Sequence, residues 1–173
     1  KLFSEREDNV SLHLKSCNLN WHPIVYDEGG MVSKQFLINR IWKCIKQLYQ
    51  TQPCAMVHCR SYMSALLGIR MKKKFGTKYL FDMRGFWADE RKDGNIWNTQ
   101  KPIFRMMYNF FKRKEIQFLQ RADCIVSLTN NARREIQSWN SMHGRTLDIQ
   151  VIPCCADLEL FSERGINREL REE

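Results

Sequence analysis

Short apolar runs, each followed by a polar cluster and then by a helix-periodic segment, recur through the second part of this sequence. They fall at residues 55–59 (AMVHC), 79–81 (YLF), 124–128 (CIVSL) and 149–152 (IQVI). Strands that are apolar throughout, rather than alternating, belong to a parallel sheet covered on both faces. Parallel neighbours must return through a crossover, and the helix-periodic segments between the runs supply it. One is residues 63–74, closed by Gly76, and another is 102–121, opened by Pro102. A third spans 132–139, with Asn130 or Asn131 as its cap. Before the first run, Leu37, Ile38, Ile41, Trp42, Ile45 and Leu48 mark a helix over 34–49. Residues 3–17 carry a weaker helical pattern. Residues 21–26 (WHPIVY) read as a short edge strand because of Pro23, with a turn at 27–30. The pattern predicts an α/β fold built on a three-layer parallel sheet.

In such sheets ligands bind beyond the carboxyl ends of the strands. The runs deliver four polar clusters to that rim: Arg60/Ser61/Tyr62, Asp82/Arg84, Thr129/Asn130, and Asp157 after the last strand. The loop over residues 84–98 adds Gly85, Trp87, Asp89, Glu90, Arg91 and Trp97. Arg60 and Arg84 offer planar forks for phosphate or carboxylate. Asp82, Asp89 and Glu90 offer acceptors for sugar hydroxyls, with Trp87 or Trp97 as an apolar floor. The bland alternative is that Asp89, Glu90 and Arg91 pair among themselves and only shape the loop. Glu115 falls on the inward stripe of its helix with Phe104, Met107, Tyr108, Phe111, Phe118, Leu119 and Ala122. A buried carboxylate needs a partner, so Glu115 is expected to pair with a base or with backbone amides near the rim, supporting the site from behind.

Charge narrows the partners. Lys and Arg total 28 against 19 acids, a net +9, which favours an anionic partner. Basic stretches at Arg70, Lys72, Lys73, Lys74 and Lys78, and at Lys112, Arg113 and Lys114 among aromatics, make an anionic membrane surface one candidate, against the alternative of a solvated face. No nucleic-acid recognition signature is present, and neither GxGxxG nor GxxxxGK[ST] occurs. His22 and His58 flank apolar residues and read as packed side chains. The seven cysteines are scattered without a CxxC pair, so no metal site is expected, and reduced thiols in a cytoplasm are the simple reading. No apolar run reaches the roughly 18 residues of a membrane span. The chain does not begin with Met and reads as a piece of a longer polypeptide.

The words HCRSY, FDMRGFWADE, KRKEIQFLQRADCIVSLT and VIPCCADLELF together resemble the N-terminal half of GT-B retaining glycosyltransferases of family four (group 1), in bacterial members that make surface polysaccharide. The resemblance covers nearly all of residues 21–161. It implies two Rossmann-like domains facing across a cleft, the N-terminal one holding the acceptor and the other a nucleotide-sugar. Transfer in that family retains anomeric configuration, usually without a metal. Its acceptor- and sugar-facing loop falls on Asp82, Met83, Arg84 and Gly85. Its ordered acid, Ala-Asp and hydroxyl pattern falls on Glu115, Ala122, Asp123 and Thr129, and its hinge on Val151, Ile152, Pro153, Cys154, Cys155, Ala156 and Asp157. Cys154 and Cys155 replace the usual Asn-Gly. A His common in the Asp82–Gly85 loop is missing, and Asp82 or Arg84 stands in for it as the catalytic group.

The resemblance implies residues 1–153 as an acceptor-side domain lacking its first central strand, and 154–173 as a linker into a missing donor domain. The nucleotide-sugar would be held by that other domain, none by this piece. The partner is a saccharide or lipid-linked acceptor, and the location is cytoplasmic, on the inner face of a membrane. The piece alone is expected to be inactive, and either marginally stable or self-associating because of its exposed apolar edge. The alternative is a non-enzymatic Rossmann-like module whose rim binds an anionic ligand.

Overall fold

The computed structural model describes residues 2–24, 31–156 and 158. The chain forms two compact units, Lys1–Pro53 and Cys54–Glu173.

The first unit contains α1 (Leu2–Ser16) and α2 (Met31–Thr51). The latter extends beyond the expected 34–49 at both ends. Residues 21–24 are irregular rather than extended in a ladder, correcting the strand expected there. Pro23 has no N–H to donate, and a strand gains its hydrogen bonds only from a neighbour. Val25, Tyr26 and the turn at 27–30 lie outside the described residues.

In the second unit, strands β1 (Met56–Arg60), β2 (Lys78–Met83), β3 (Cys124–Ser127) and β4 (Ile149–Val151) alternate with helices. These are α3 (Ser61–Phe75), α4 (Trp87–Asp93), α5 (Pro102–Arg121) and α6 (Asn130–Ser138). The strands are parallel in the order β1-β2-β3-β4. The α/β architecture read from the alternation is the one observed. Two local readings change. Residues 87–93 of the expected loop form α4. The cap of α6 is Thr129, whose hydroxyl accepts from the Ala132 amide at 3.1 Å, so Asn130 and Asn131 lie inside the helix.

Register explains the core. Cys59, Phe81, Ile125 and Ile149 stand side by side across the four strands. Crossovers that step repeatedly in one direction, each right-handed, leave their helices on one face. The cluster agrees: Cys59, Tyr79, Phe81, Ile125 and Ile149 pack with Tyr62 and Ala65 of α3, Phe118 and Leu119 of α5, and Ile136 of α6. Burying each such large side chain stabilises the fold by roughly 1.5–3 kcal/mol. The alternate row, Arg60, Asp82, Val126 and Gln150, points to the other face. α3 approaches the sheet closely through Gly68, where a methyl group would come within 2.5 Å of Cys59 Sγ and 2.7 Å of the Tyr79 ring. Gly76 closes α3 with φ 71°, the left-handed conformation that glycine adopts most easily, its amide bonded to the Lys72 carbonyl.

Candidate functional site

β2 is buried up to its end, and its last polar residue is Asp82, only 6% exposed. In register it lies beside Arg60 on one side and Val126 on the other. One carboxylate oxygen, Oδ2, is 3.3 Å from His58 Nε2. The other, Oδ1, is buried and has no hydrogen-bond partner among the described residues, with Arg84 Nη1 at 3.9 Å. A buried acceptor left unpaired costs about 1–3 kcal/mol, and more when charged. Arg84, with about a third of its side chain exposed, reaches onward from Nη2 to Cys154 Sγ at 3.1 Å. Thus His58, Asp82, Arg84 and Cys154 form a connected polar patch toward the ends of the strands, with Arg60 the in-register neighbour of Asp82 on β1.

Ser61 adds a backbone anomaly at the same rim. Its φ of 68° is rare for a residue with a side chain and costs of order 1 kcal/mol. The Ser64 hydroxyl braces this junction by donating to the carbonyls of Arg60 and Ser61. Thr129 and Asn130 are exposed just beyond β3, at the same ends of the strands, with the Thr129 hydroxyl already engaged as the cap. Asp157 lies outside the described residues.

Three residues expected to meet an acceptor are used within the protein instead. Tyr62 is 1% exposed and donates its hydroxyl to Glu115 Oε2. Trp87 has its ring surrounded by Phe111, Trp97, Tyr62 and the Arg91 guanidinium, at 4.8, 5.2, 5.6 and 4.5 Å. Trp97 is buried, and Trp87 is partly buried among these neighbours. Asp89 accepts from Tyr108 at 2.7 Å and from Lys112 at 2.8 Å, so it pairs internally. Glu90 is exposed, and its carboxylate sits against Gly85 so closely that a Cβ there would collide with it.

Glu115 is fully buried and shared by Lys112 and Tyr62. Burial pushes its carboxyl above the ordinary 4.5, against the hydrogen bonds of Lys112 and Tyr62 that pull it down. Burial also lowers Lys112, but the carboxylates of Asp89 and Glu115 more than offset this and leave its ammonium held above 10.5. That ammonium also lies 5.0 Å over Trp139 and 5.9 Å over Phe86. The network therefore ties α4 to α5 behind the rim loop.

Sequence reasoning passed over His58, reading it as packed. It is on the edge strand with 57% of its side chain exposed. The signal was its two-residue offset from Arg60, which puts both on the face that also carries Asp82. A separate depression lined by Gln137, Met142, His143, Arg145 and Leu147 lies on the connection into β4. It lies where the chain enters the amino end of the edge strand β4, away from the carboxyl ends where Asp82 stands, and none of the candidate rim residues lines it. Among the described residues no three His, Cys, Asp or Glu side chains gather as metal ligands.

The fold has a counterpart among solved structures. Sucrose-phosphate synthase from Thermosynechococcus elongatus matches with a TM-score of 0.60 at 15% identity. The match covers 88% of this chain and 35% of the synthase. The likeness is one of fold. No protein-family model matches the sequence, and no curated protein matches it.

Proposed function

We propose that this chain is the acceptor-side part of a retaining glycosyltransferase of the GT-B type, passing a sugar from a nucleotide-sugar to a saccharide or lipid-linked acceptor in the building of a bacterial surface polysaccharide. The observation that carries the reading is the buried, unpartnered Oδ1 of Asp82 at the strand ends beside Arg84 and His58. A sugar hydroxyl donating to Oδ1 would relieve its unmet hydrogen bond. Arg84 and Arg60 would hold an anionic group of the same acceptor, a phosphate or carboxylate, through bidentate bonds. The fold shared with sucrose-phosphate synthase supports the same reading. Nucleotide-sugar contacts and the stabilisation of the leaving phosphate fall to a second domain. Residues 1–173 by themselves are accordingly expected to turn over no nucleotide-sugar.

The test is titration of the isotope-labelled chain with saccharide phosphates, followed by backbone amide shifts. Shifts should centre on residues 58–62, 82–86 and 127–130, and Asp82→Asn and Arg84→Gln should each abolish them. Shifts confined to other residues would overturn the reading. Equal shifts with inorganic phosphate alone would replace it with the non-enzymatic anion-binding module, for which Arg84 beside Asp82, with Arg60 at the end of β1, is the supporting observation.

A further inference from the structure

We infer that the outer face of α5 is a docking surface for an anionic lipid bilayer. The inner face of this helix is fixed in the core by Phe111, Glu115, Phe118 and Leu119. Its opposite face holds Ile103, Met106 and Phe110, which are 46%, 57% and 40% exposed. Their spacing of three and four residues places them in one stripe along the first two turns. Ile96, 58% exposed, precedes them on the connection from α4. Three large apolar side chains in one solvent-facing stripe are unusual for a helix already packed on its other side.

Charge selects the partner. Arg113, Lys114 and Arg121 continue the stripe on the same side of the helix, and among the described residues none of them pairs with a carboxylate. Glu115, the sole acid within α5, is fully buried. The exposed face is therefore apolar then basic, with no anionic side chain of its own. An apolar stripe continued by basic residues suits the boundary between acyl chains and anionic headgroups. A second copy of the chain would set the same basic residues against each other, and the stripe spans only about 10 Å of helix, too little for the area a stable dimer buries. A polyanion such as nucleic acid would satisfy the bases and leave the apolar side chains without a role. Because α5 runs antiparallel to the strands, the apolar end of the face lies toward the same end of the sheet as Asp82. The surface stands on its own observations, whether or not the rim takes a saccharide.

The experiment is flotation of the full chain with phosphatidylcholine vesicles, with and without about one-third phosphatidylglycerol. Binding to the anionic vesicles is expected, weakening with added salt, and little to the neutral ones. Met106→Ser combined with Phe110→Ser should reduce partitioning roughly tenfold, and Arg113→Gln combined with Arg121→Gln by a similar factor, on anionic vesicles alone. All four positions are exposed, so circular dichroism and the thermal midpoint should be unchanged. Asp82→Asn should float like the parent, which separates this surface from the rim. Equal partitioning of parent and apolar variants, or binding indifferent to lipid charge, would overturn the proposal. So would concentration-dependent self-association abolished by the same substitutions, which would make the stripe a protein interface.

Discussion

Glu115 shows how far a single residue can be read. Helical periodicity alone places it on the inward stripe of α5, and physical chemistry demands a partner for it there. Lys112, three residues earlier, is a partner that local spacing allows, whereas Tyr62 comes from a helix 53 positions away and is found only in the fold. Replacing Glu115 with Ala leaves the Tyr62 hydroxyl unpaired and Lys112 with Asp89 alone. The expected cost is about 3 kcal/mol, the low end of the range for breaking a buried pair, since Lys112 keeps one carboxylate. Glu115→Gln keeps only one of the two acceptor oxygens that Tyr62 and Lys112 donate to, so one hydrogen bond is lost and the change should cost roughly 1–2 kcal/mol. Urea midpoints at unchanged slope would check both values, and an Ala variant as stable as the Gln one would show that the network contributes little. Gly68 was not legible as special, because nothing in sequence announces that Cys59 and Tyr79 lie beneath it. Gly68→Ala should overpack that contact and cost about 1–3 kcal/mol, whereas Gly85→Ala needs only a rotation of the exposed Glu90 and should cost less.

Elements were legible where one signal dominated. The strands β1 to β4 announced themselves as apolar runs, and Gly76 and Pro102 marked helix ends through their backbone chemistry. α4 was hidden because WADERKD is polar and sits between a strand end and a loop, so its residues read as ligand groups. His58 was misread for a related reason: its proximity to Asp82 depends on strand register, which composition does not encode. At the other end of β3, Asp123 joins three elements. It accepts from Lys72 of α3 at 2.7 Å, from the Tyr79 amide of β2 at 2.8 Å, and lies 3.5 Å from Lys78. Burial raises its carboxyl, but these hydrogen bonds and the two lysine charges outweigh it and hold the group below the ordinary 3.8. The folded state then binds fewer protons than the unfolded one in that interval. Stability from Asp123 is present above pH 3.8 and is lost as pH falls through the lowered value. Asp123→Asn should lie below the parent in stability at neutral pH, and the gap should narrow on acidification. A gap independent of pH would show that the amide contact, and not the charge, matters at this position.

At the scale of the molecule, every member of the buried core cluster falls between Cys59 and Ile149, within the second unit. The sheet, its helix layer and the candidate rim are all built from that unit's own residues. Its length is that of an ordinary small domain, which buries enough surface to fold alone. The polypeptide 54–173 is therefore expected to unfold cooperatively, with coincident urea transitions in far-ultraviolet dichroism and tryptophan fluorescence. The same architecture predicts a weakness. β1 ends the order β1-β2-β3-β4, and its Met56 is 55% exposed beside Val57 and His58. An edge strand with an apolar outer residue is a template for pairing with another chain. Light scattering of 54–173 should show association rising with concentration, and Met56→Lys should suppress it by placing a charge on the edge while leaving the urea midpoint within about 0.5 kcal/mol. Transitions that fail to coincide would mean that the second unit does not stand alone. Association untouched by Met56→Lys would place the sticky surface elsewhere, and the exposed stripe of α5 would then be the next to substitute.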